Sequence, residues 1–71
     1  MATLLYRGCY ISHNRDYYHE ICKVYTDAEQ TNLLCDFVLL DVHGGCFRPM
    51  SEERLETLIK TKFDKWLEKN R

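Results

Sequence analysis

The sequence predicts an α+β fold, in which a small antiparallel β-meander of about four strands (residues 1–50) is followed by a packed amphipathic helix (residues 51–71). Segments rich in aromatic and β-branched residues alternate with Gly, Asn and Asp, which is typical of short strands and turns. The last third of the chain has helical periodicity instead. A chain of 71 residues forms one domain, so the helix is expected to lie on the sheet and complete one core.

The first half of the predicted meander contains two strands. Residues 3–11 form the first, because Thr, Leu, Tyr and Ile favour extended structure. Gly8 interrupts this strand and indicates a bulge or a close backbone approach. Residues 12–16 are polar and predict a turn. Residues 17–26 fit a helix by periodicity and a strand by composition, and the short link to the first strand favours the strand.

The second half of the meander follows a polar turn at 27–32. Residues 33–42 are almost all apolar, which predicts a central strand buried on both faces. The Gly-Gly pair at 44–45 predicts a hairpin turn, and a short return strand at 46–48 follows. Pro49 ends that strand because proline has no backbone N–H to donate.

The C-terminal helix is predicted from both its ends and its apolar stripe. Ser51 is a favourable N-cap, and two glutamates follow it in the first turn. Lys69 and Arg71 complement the helix dipole at the other end. The stripe that would pack on the sheet consists of Leu55, Leu58, Ile59, Phe63, Trp66 and Leu67.

Three short motifs in the meander resemble a known pattern. They are Tyr6-Arg7-Gly8, Val24-Tyr25 before an acidic turn, and Phe47-Arg48-Pro49-Met50. Together they resemble a short bacterial and phage family of SH3-like barrels of unknown function. The resemblance covers residues 4–50 and leaves out the helix. It implies an SH3-like meander and no activity.

The net charge of −1 gives the chain no strong attraction to nucleic acid or to an anionic membrane. Arg7 interrupts the apolar start of the chain, so no secretory signal is predicted. No apolar run approaches the ~20 residues that a membrane span needs. These observations predict a cytoplasmic protein without a membrane partner.

Four cysteines are unusual in so short a chain: Cys9, Cys22, Cys35 and Cys46. No two of them form the close pair that is typical of structural zinc sites, but strands could bring them together on a metal. Buried free thiols are the commoner outcome. A disulfide is disfavoured in the cytoplasm. We therefore predict no cofactor and no metal site, and name these four residues as the ligands if a metal is bound.

Catalytic motifs are scarce. His43 and Cys46 flank a Gly-Gly pair and could form a nucleophilic pair, but no Asp or Asn is placed to orient the histidine, and a hairpin turn explains both glycines. Phosphate-binding loops and the zinc-protease and serine-hydrolase signatures are also absent from the sequence. We predict that the chain is not an enzyme.

Tyrosines interleaved with cations are the best candidates for a binding surface: Tyr6, Arg7, Tyr10, Arg15, Tyr17, Tyr18, Tyr25 and Arg48. Such a set suits a protein interface, where Tyr supplies contact area with little entropy loss. It also suits stacking on single-stranded nucleic acid, which the net charge disfavours.

The function predicted from these features is a small protein-binding module, of the kind that phages and mobile elements use to inhibit or adapt a host protein. A homodimer is expected, since so small a domain often completes its core by association. Two alternatives stay open: a small β-barrel protein associated with nucleic acid, and a small metal- or thiol-dependent protein.

Overall fold

The computed structural model describes residues 2–43 and 51–70, and in them the predicted α+β fold is confirmed. Four antiparallel strands lie side by side in chain order and precede one helix: β1 Ala2–Tyr6, β2 Cys9–Asp16, β3 His19–Tyr25, β4 Leu33–Leu39 and α1 Glu52–Lys69. Among the described residues, β1 and β4 are the two edge strands and do not pair with each other. The sheet is therefore open and is not closed into a barrel.

The prediction of one strand over residues 3–11 is wrong, because a tight hairpin turn divides this segment into β1 and β2. Tyr6 pairs with Cys9, which leaves Arg7 and Gly8 as a two-residue loop. Their φ angles are 53° and 75°. Positive φ at both central residues suits the twist of an antiparallel hairpin, and glycine adopts it without strain. Gly8 therefore marks a turn and not a bulge.

The predicted turn at residues 12–16 is also wrong, because this polar segment belongs to β2. Its backbone pairs with β3 throughout and with β1 as far as His13, so ladder hydrogen bonds outweigh the turn propensity of Asn and Asp. The chain reverses instead between Asp16 and His19, where Tyr17 has a φ of 57°. The preference for a strand in residues 17–26 is confirmed by β3.

The polar turn predicted at 27–32 is confirmed, and Asp27 organises it. The Asp27 carboxylate accepts hydrogen bonds from the backbone N–H groups of Thr31 at 3.1 Å and Asn32 at 2.9 Å, and from the Thr31 hydroxyl. These bonds, with the Thr31 hydroxyl first, lower the pKa of Asp27 because they favour the ionised carboxylate.

The apolar segment 33–42 was predicted as a central strand buried on both faces, and this prediction is wrong. In the part of the sheet that the structure describes, the central strands are β2 and β3, whereas β4 lies at an edge. Its side chains alternate between half-buried and exposed, and Leu33, Leu34 and Val38 are 53%, 39% and 43% exposed. Apolar composition does not reveal what covers a strand. The predicted hairpin turn at 44–45 and return strand at 46–48 lie outside the described residues.

Helix α1 is confirmed with the predicted N-cap and buried stripe. The Ser51 hydroxyl accepts a hydrogen bond from the backbone N–H of Arg54 at 3.3 Å. The core forms where the helix lies on one face of the sheet, and it consists of Ile11, Cys22, Val24, Leu55, Ile59 and Phe63. No helix among the described residues is long and apolar enough to cross a membrane.

Candidate binding surfaces

The two faces of the sheet have different surroundings. Helix α1 packs on one face, here called the inner face, whose strand residues include Leu4, Ile11, Val24 and Cys35 in one row across the sheet. Because strand side chains alternate, the intervening residues lie on the opposite, outer face. That face carries partly or largely exposed apolar side chains: Leu5, Tyr10, Ile21, Tyr25, Leu34 and Val38.

A compact part of the outer face lies on β3 and β4, and we call it the β3–β4 patch. It consists of Ile21, Lys23 and Tyr25 on β3, and of Leu33, Leu34, Asp36 and Val38 on β4. The register places Ile21 beside Val38 and Lys23 beside Asp36. Tyr25 pairs with Leu33, and the register shift next to it leaves Leu34 as an extra residue. The patch thus has two apolar rows with a charged row between them.

The predicted binding residues do not form one surface. Tyr10 and Tyr25 are cross-strand neighbours on the outer face and are half-buried. Tyr17 and Tyr18 are 83% and 56% exposed at the β2–β3 turn, where the Arg15 side chain donates a hydrogen bond to the Tyr17 carbonyl at 2.8 Å. Arg48 lies outside the described residues.

Two predicted binding residues support the packing of the helix instead. The Tyr6 hydroxyl donates a hydrogen bond to Asp64 Oδ2 at 2.8 Å, and Arg7 Nε lies 2.8 Å from Asp64 Oδ1. The Tyr6 ring also contacts Phe63 edge-on, with ring centroids 6.4 Å apart. These contacts connect the first hairpin to α1. Two cations expected to line a binding surface are therefore dispersed: Arg7 faces the helix, and Arg15 lies beside the β2–β3 turn.

A groove of about 500 Å³, here called the helix groove, lies between β4 and the C-terminal part of α1. Its lining residues are Phe37, Lys62, Lys65, Trp66, Glu68 and Lys69. Phe37 and Trp66 are both half-buried and supply the apolar surface. The Trp66 ring stacks on Phe63 with an interplanar angle of 16° and a centroid distance of 6.2 Å. The three lysines are exposed.

The interior contains a carboxylate bridge between two histidines. Glu20 is 3% exposed, and its Oε2 lies 2.7 Å from His13 Nδ1. Its Oε1 lies 2.8 Å from His43 Nε2. A carboxylate that orients an imidazole is part of known general-base devices. No hydroxyl or thiol hydrogen-bonds to either imidazole within residues 2–43 and 51–70, so the described geometry supplies no nucleophile for such a device.

The described cysteines lie on three different strands. Cys9, Cys22 and Cys35 belong to β2, β3 and β4 and are free thiols, while Cys46 lies outside the described residues. In the part of the chain that the structure describes, no group of three or more potential ligands is arranged to hold a metal ion.

Comparison with protein-family models, curated proteins and solved structures found no match to this chain. Its function is therefore inferred from the surfaces described above. The resemblance to SH3-like barrels stays an interpretation of three short motifs.

Proposed function

We propose that this chain is a small protein-binding module, that it binds through the β3–β4 patch, and that its partner is a second copy of the chain. The observation that carries the proposal is the exposure of this patch. Three of its apolar side chains, Leu33, Leu34 and Val38, are 39–53% exposed, next to the half-buried Ile21 and Tyr25. Contiguous exposed apolar side chains on a small soluble domain are typical of interaction sites.

The patch is self-complementary under a two-fold axis that runs between β3 and β4, parallel to the strands. Such an axis places each β3 residue of one copy over the β4 residue that neighbours it in the other copy. Ile21 then meets Val38, and Tyr25 meets the leucines at the start of β4. Two-fold symmetry of this kind requires one surface to fit itself, which these rows do.

Charge supports the same arrangement. Lys23 and Asp36 are adjacent in the register and exposed, and in the described structure their charged groups are more than 4.0 Å apart. In the symmetric pair, Lys23 of each copy faces Asp36 of the other. The dimer would therefore contain two ion pairs surrounded by apolar rows, and opposite charges fix the register of such contacts.

The surface required is modest. A stable interface usually buries about 800 Å² on each partner, which is roughly a seventh of the 5320 Å² surface of this chain. Association would also give a second layer to the sheet, which α1 covers on its inner face. That gain is substantial for a domain of this size, in which a single core contributes only a few kcal/mol.

The oligomeric state and a charge swap test the proposal. We expect sedimentation equilibrium to show a concentration-dependent dimer, and Val38→Lys to raise its dissociation constant about tenfold or more by placing an unpaired cation in each half of the contact. Thr61→Lys adds the same charge to the exposed surface of α1 and should leave the dimer unchanged. Far-UV circular dichroism confirms that each variant is folded.

The charge swap distinguishes this interface from a general apolar contact. Lys23→Asp alone and Asp36→Lys alone place like charges opposite each other, so each should weaken the dimer about threefold or more. The double variant restores opposite charges and should recover most of the wild-type affinity. A chain that stays monomeric at all concentrations, or a double variant weaker than both single variants, would contradict the proposal.

A further inference from the structure

We propose that the helix groove is a binding site for a small amphiphilic anion, a molecule with one carboxylate and an aliphatic or aromatic body. The groove lies on the helix side of β4, away from the β3–β4 patch, so this inference is independent of the proposed dimer. Its volume of about 500 Å³ is within the ~300–1,000 Å³ of most small-molecule sites.

The groove has an apolar surface suited to the body of such a ligand. Phe37 projects from β4 on the inner face, opposite Cys22 in the register. Trp66 stacks on Phe63, which is fully buried, so the indole is held by the core while its ring stays partly exposed. Two aromatic rings on separate elements therefore border one cavity and offer fixed apolar contact area.

Charge determines which polar group the ligand carries. Lys62, Lys65 and Lys69 follow one another at helical spacing along the groove, and Glu68 is the single acidic residue in the lining. None of the three ammonium groups lies within 4.0 Å of a carboxylate among residues 2–43 and 51–70. With three lysines and one glutamate, the lining has an excess of positive charge, and an anion at the groove's rim would be attracted to it.

The size of the cavity favours a small molecule over a protein segment. A helix or strand docking on this groove would need an interface of several hundred Å², whereas the lining here comprises six residues. An aliphatic carboxylate of medium length can place its chain against Phe37 and Trp66 and its carboxylate among the lysines. A neutral molecule of equal length would gain the first contact only.

The sole tryptophan of the chain is Trp66, so its fluorescence reports on this groove directly. Octanoate is the probe, octan-1-ol is its neutral counterpart, and acetate lacks the apolar body. We expect octanoate to change the Trp66 emission saturably, octan-1-ol to bind about tenfold more weakly, and acetate to have no effect. Octanoate affinity should fall as salt is added, because exposed charges are screened.

The matched variants assign the effect to the lysines. The double variant Lys65→Gln/Lys69→Gln should lower the affinity for octanoate about tenfold, because each exposed ion pair that is lost lowers the affinity a few-fold. The affinity for octan-1-ol should not change. Arg54→Gln removes an exposed cation from the N-terminal part of α1, outside the groove, and should change neither affinity. No saturable change with octanoate, equal affinity for octan-1-ol, or an unaffected double variant would overturn the proposal. Binding of an acidic peptide without binding of octanoate would also overturn it.

The two proposals can fail separately. Sedimentation of the same samples shows whether the chain is a dimer, and the Trp66 titration can be repeated with the Val38→Lys variant. Octanoate affinity should be the same in that variant, because Val38 lies on the opposite face of β4 from Phe37. A loss of octanoate binding in Val38→Lys would contradict an independent site.

Discussion

The described cysteines differ in burial, and burial lowers the reactivity of a thiol. The Cys22 side chain is fully buried between Ile11, Val24 and the helix, and burial, followed by the nearby Glu20 carboxylate, raises the pKa of its thiol to about 12. Burial also raises the pKa of Cys35, with smaller contributions from Asp36 and Cys9. Because the thiolate is the reactive form, a raised pKa slows alkylation of the thiol, and burial slows it further by excluding the reagent.

Alkylation should therefore distinguish Cys22 from Cys9. We expect iodoacetamide at pH 8 to modify Cys9, which is partly exposed, at least ten times faster than Cys22 in the folded protein. Trypsin places these two residues in different peptides, so mass spectrometry can follow each rate. In urea the two rates should converge. Equal rates in the folded protein would show that the core around Cys22 opens readily.

The same thiol predicts how stability depends on alkaline pH. In the unfolded chain a cysteine ionises near pH 8.5, whereas folded Cys22 keeps its proton up to about pH 12. Between these values the unfolded state has lost a proton that the native state retains, so the free energy of unfolding decreases as pH rises. Urea unfolding from pH 8 to 10.5 should show this decrease, and Cys22→Ala should show a smaller one.

At the scale of elements, α1 is stabilised mainly by the side chains that it buries. Ile59 is fully buried at the centre of the helical stripe. We expect Ile59→Val to lower the free energy of unfolding by about 1 kcal/mol and Ile59→Ala by about 2–5 kcal/mol. Both variants leave a cavity in the core, and the cavity left by alanine is the larger. Thr61→Ala, on the exposed side, should change it by less than about 0.5 kcal/mol. Urea unfolding measures all three, and equal effects at both positions would contradict the packing.

The helix could be predicted because its signals are local. The N-cap Ser51, the first-turn glutamates and the apolar spacing are all found within one segment, and none needs knowledge of the sheet. The strands are different, since their identity depends on hydrogen bonds with other segments. Residues 12–16 have the composition of a turn and become a strand because β3 pairs with all of them and β1 pairs with the first two.

The position of β4 in the sheet could not be read from its composition. A run of leucines and valines indicates burial, but it does not say whether the chain itself or another copy provides the cover. The register shift next to Tyr25 also interrupts the alternation, so that Leu33 and Leu34 are both exposed. The proposed interface thus depends on the exposure of β4, which the prediction from sequence did not anticipate.

Candidate sites were harder to predict than the fold, because they combine residues that are distant in sequence. Because side chains alternate between the two faces of the sheet, the predicted tyrosine-rich set is divided among the inner face, the outer face and a turn. The pairing of Lys23 with Asp36 appears only when β3 and β4 are placed in register. The helix groove needs Phe37 and Trp66 to approach each other across the core, and no local pattern contains that information.

At the scale of the whole molecule, the Glu20 bridge joins parts of the chain that local structure leaves separate. His13 belongs to β2, Glu20 to β3, and His43 to the segment after β4. The backbone N–H of His43 also donates to the Tyr18 carbonyl at 3.0 Å, next to the β2–β3 turn. The bridge therefore fixes the end of the sheet from which the chain leaves β4 toward the helix.

Removing the carboxylate should accordingly destabilise the whole fold. Glu20→Ala leaves the buried His13 imidazole and the half-buried His43 imidazole without their hydrogen-bond partner, and a buried polar group left unsatisfied typically costs about 1–3 kcal/mol. Two such groups account for a large part of the stability of a domain of this length. Glu20→Gln keeps one acceptor oxygen and should be milder. Glu29→Ala, an exposed acidic residue in the polar turn, is the matched control and should have little effect.

A double-mutant cycle separates the hydrogen bonds of the bridge from simple packing. We expect Glu20→Gln and His13→Ala to show a coupling energy above about 1 kcal/mol, because residues in one buried network are not independent. Urea unfolding followed by Trp66 fluorescence, at one fixed protein concentration, supplies the four free energies. Additive effects would mean that Glu20 and His13 contribute only volume. Strong coupling would mean that this bridge holds β2 and β3 in the register that creates both the inner core and the outer patch.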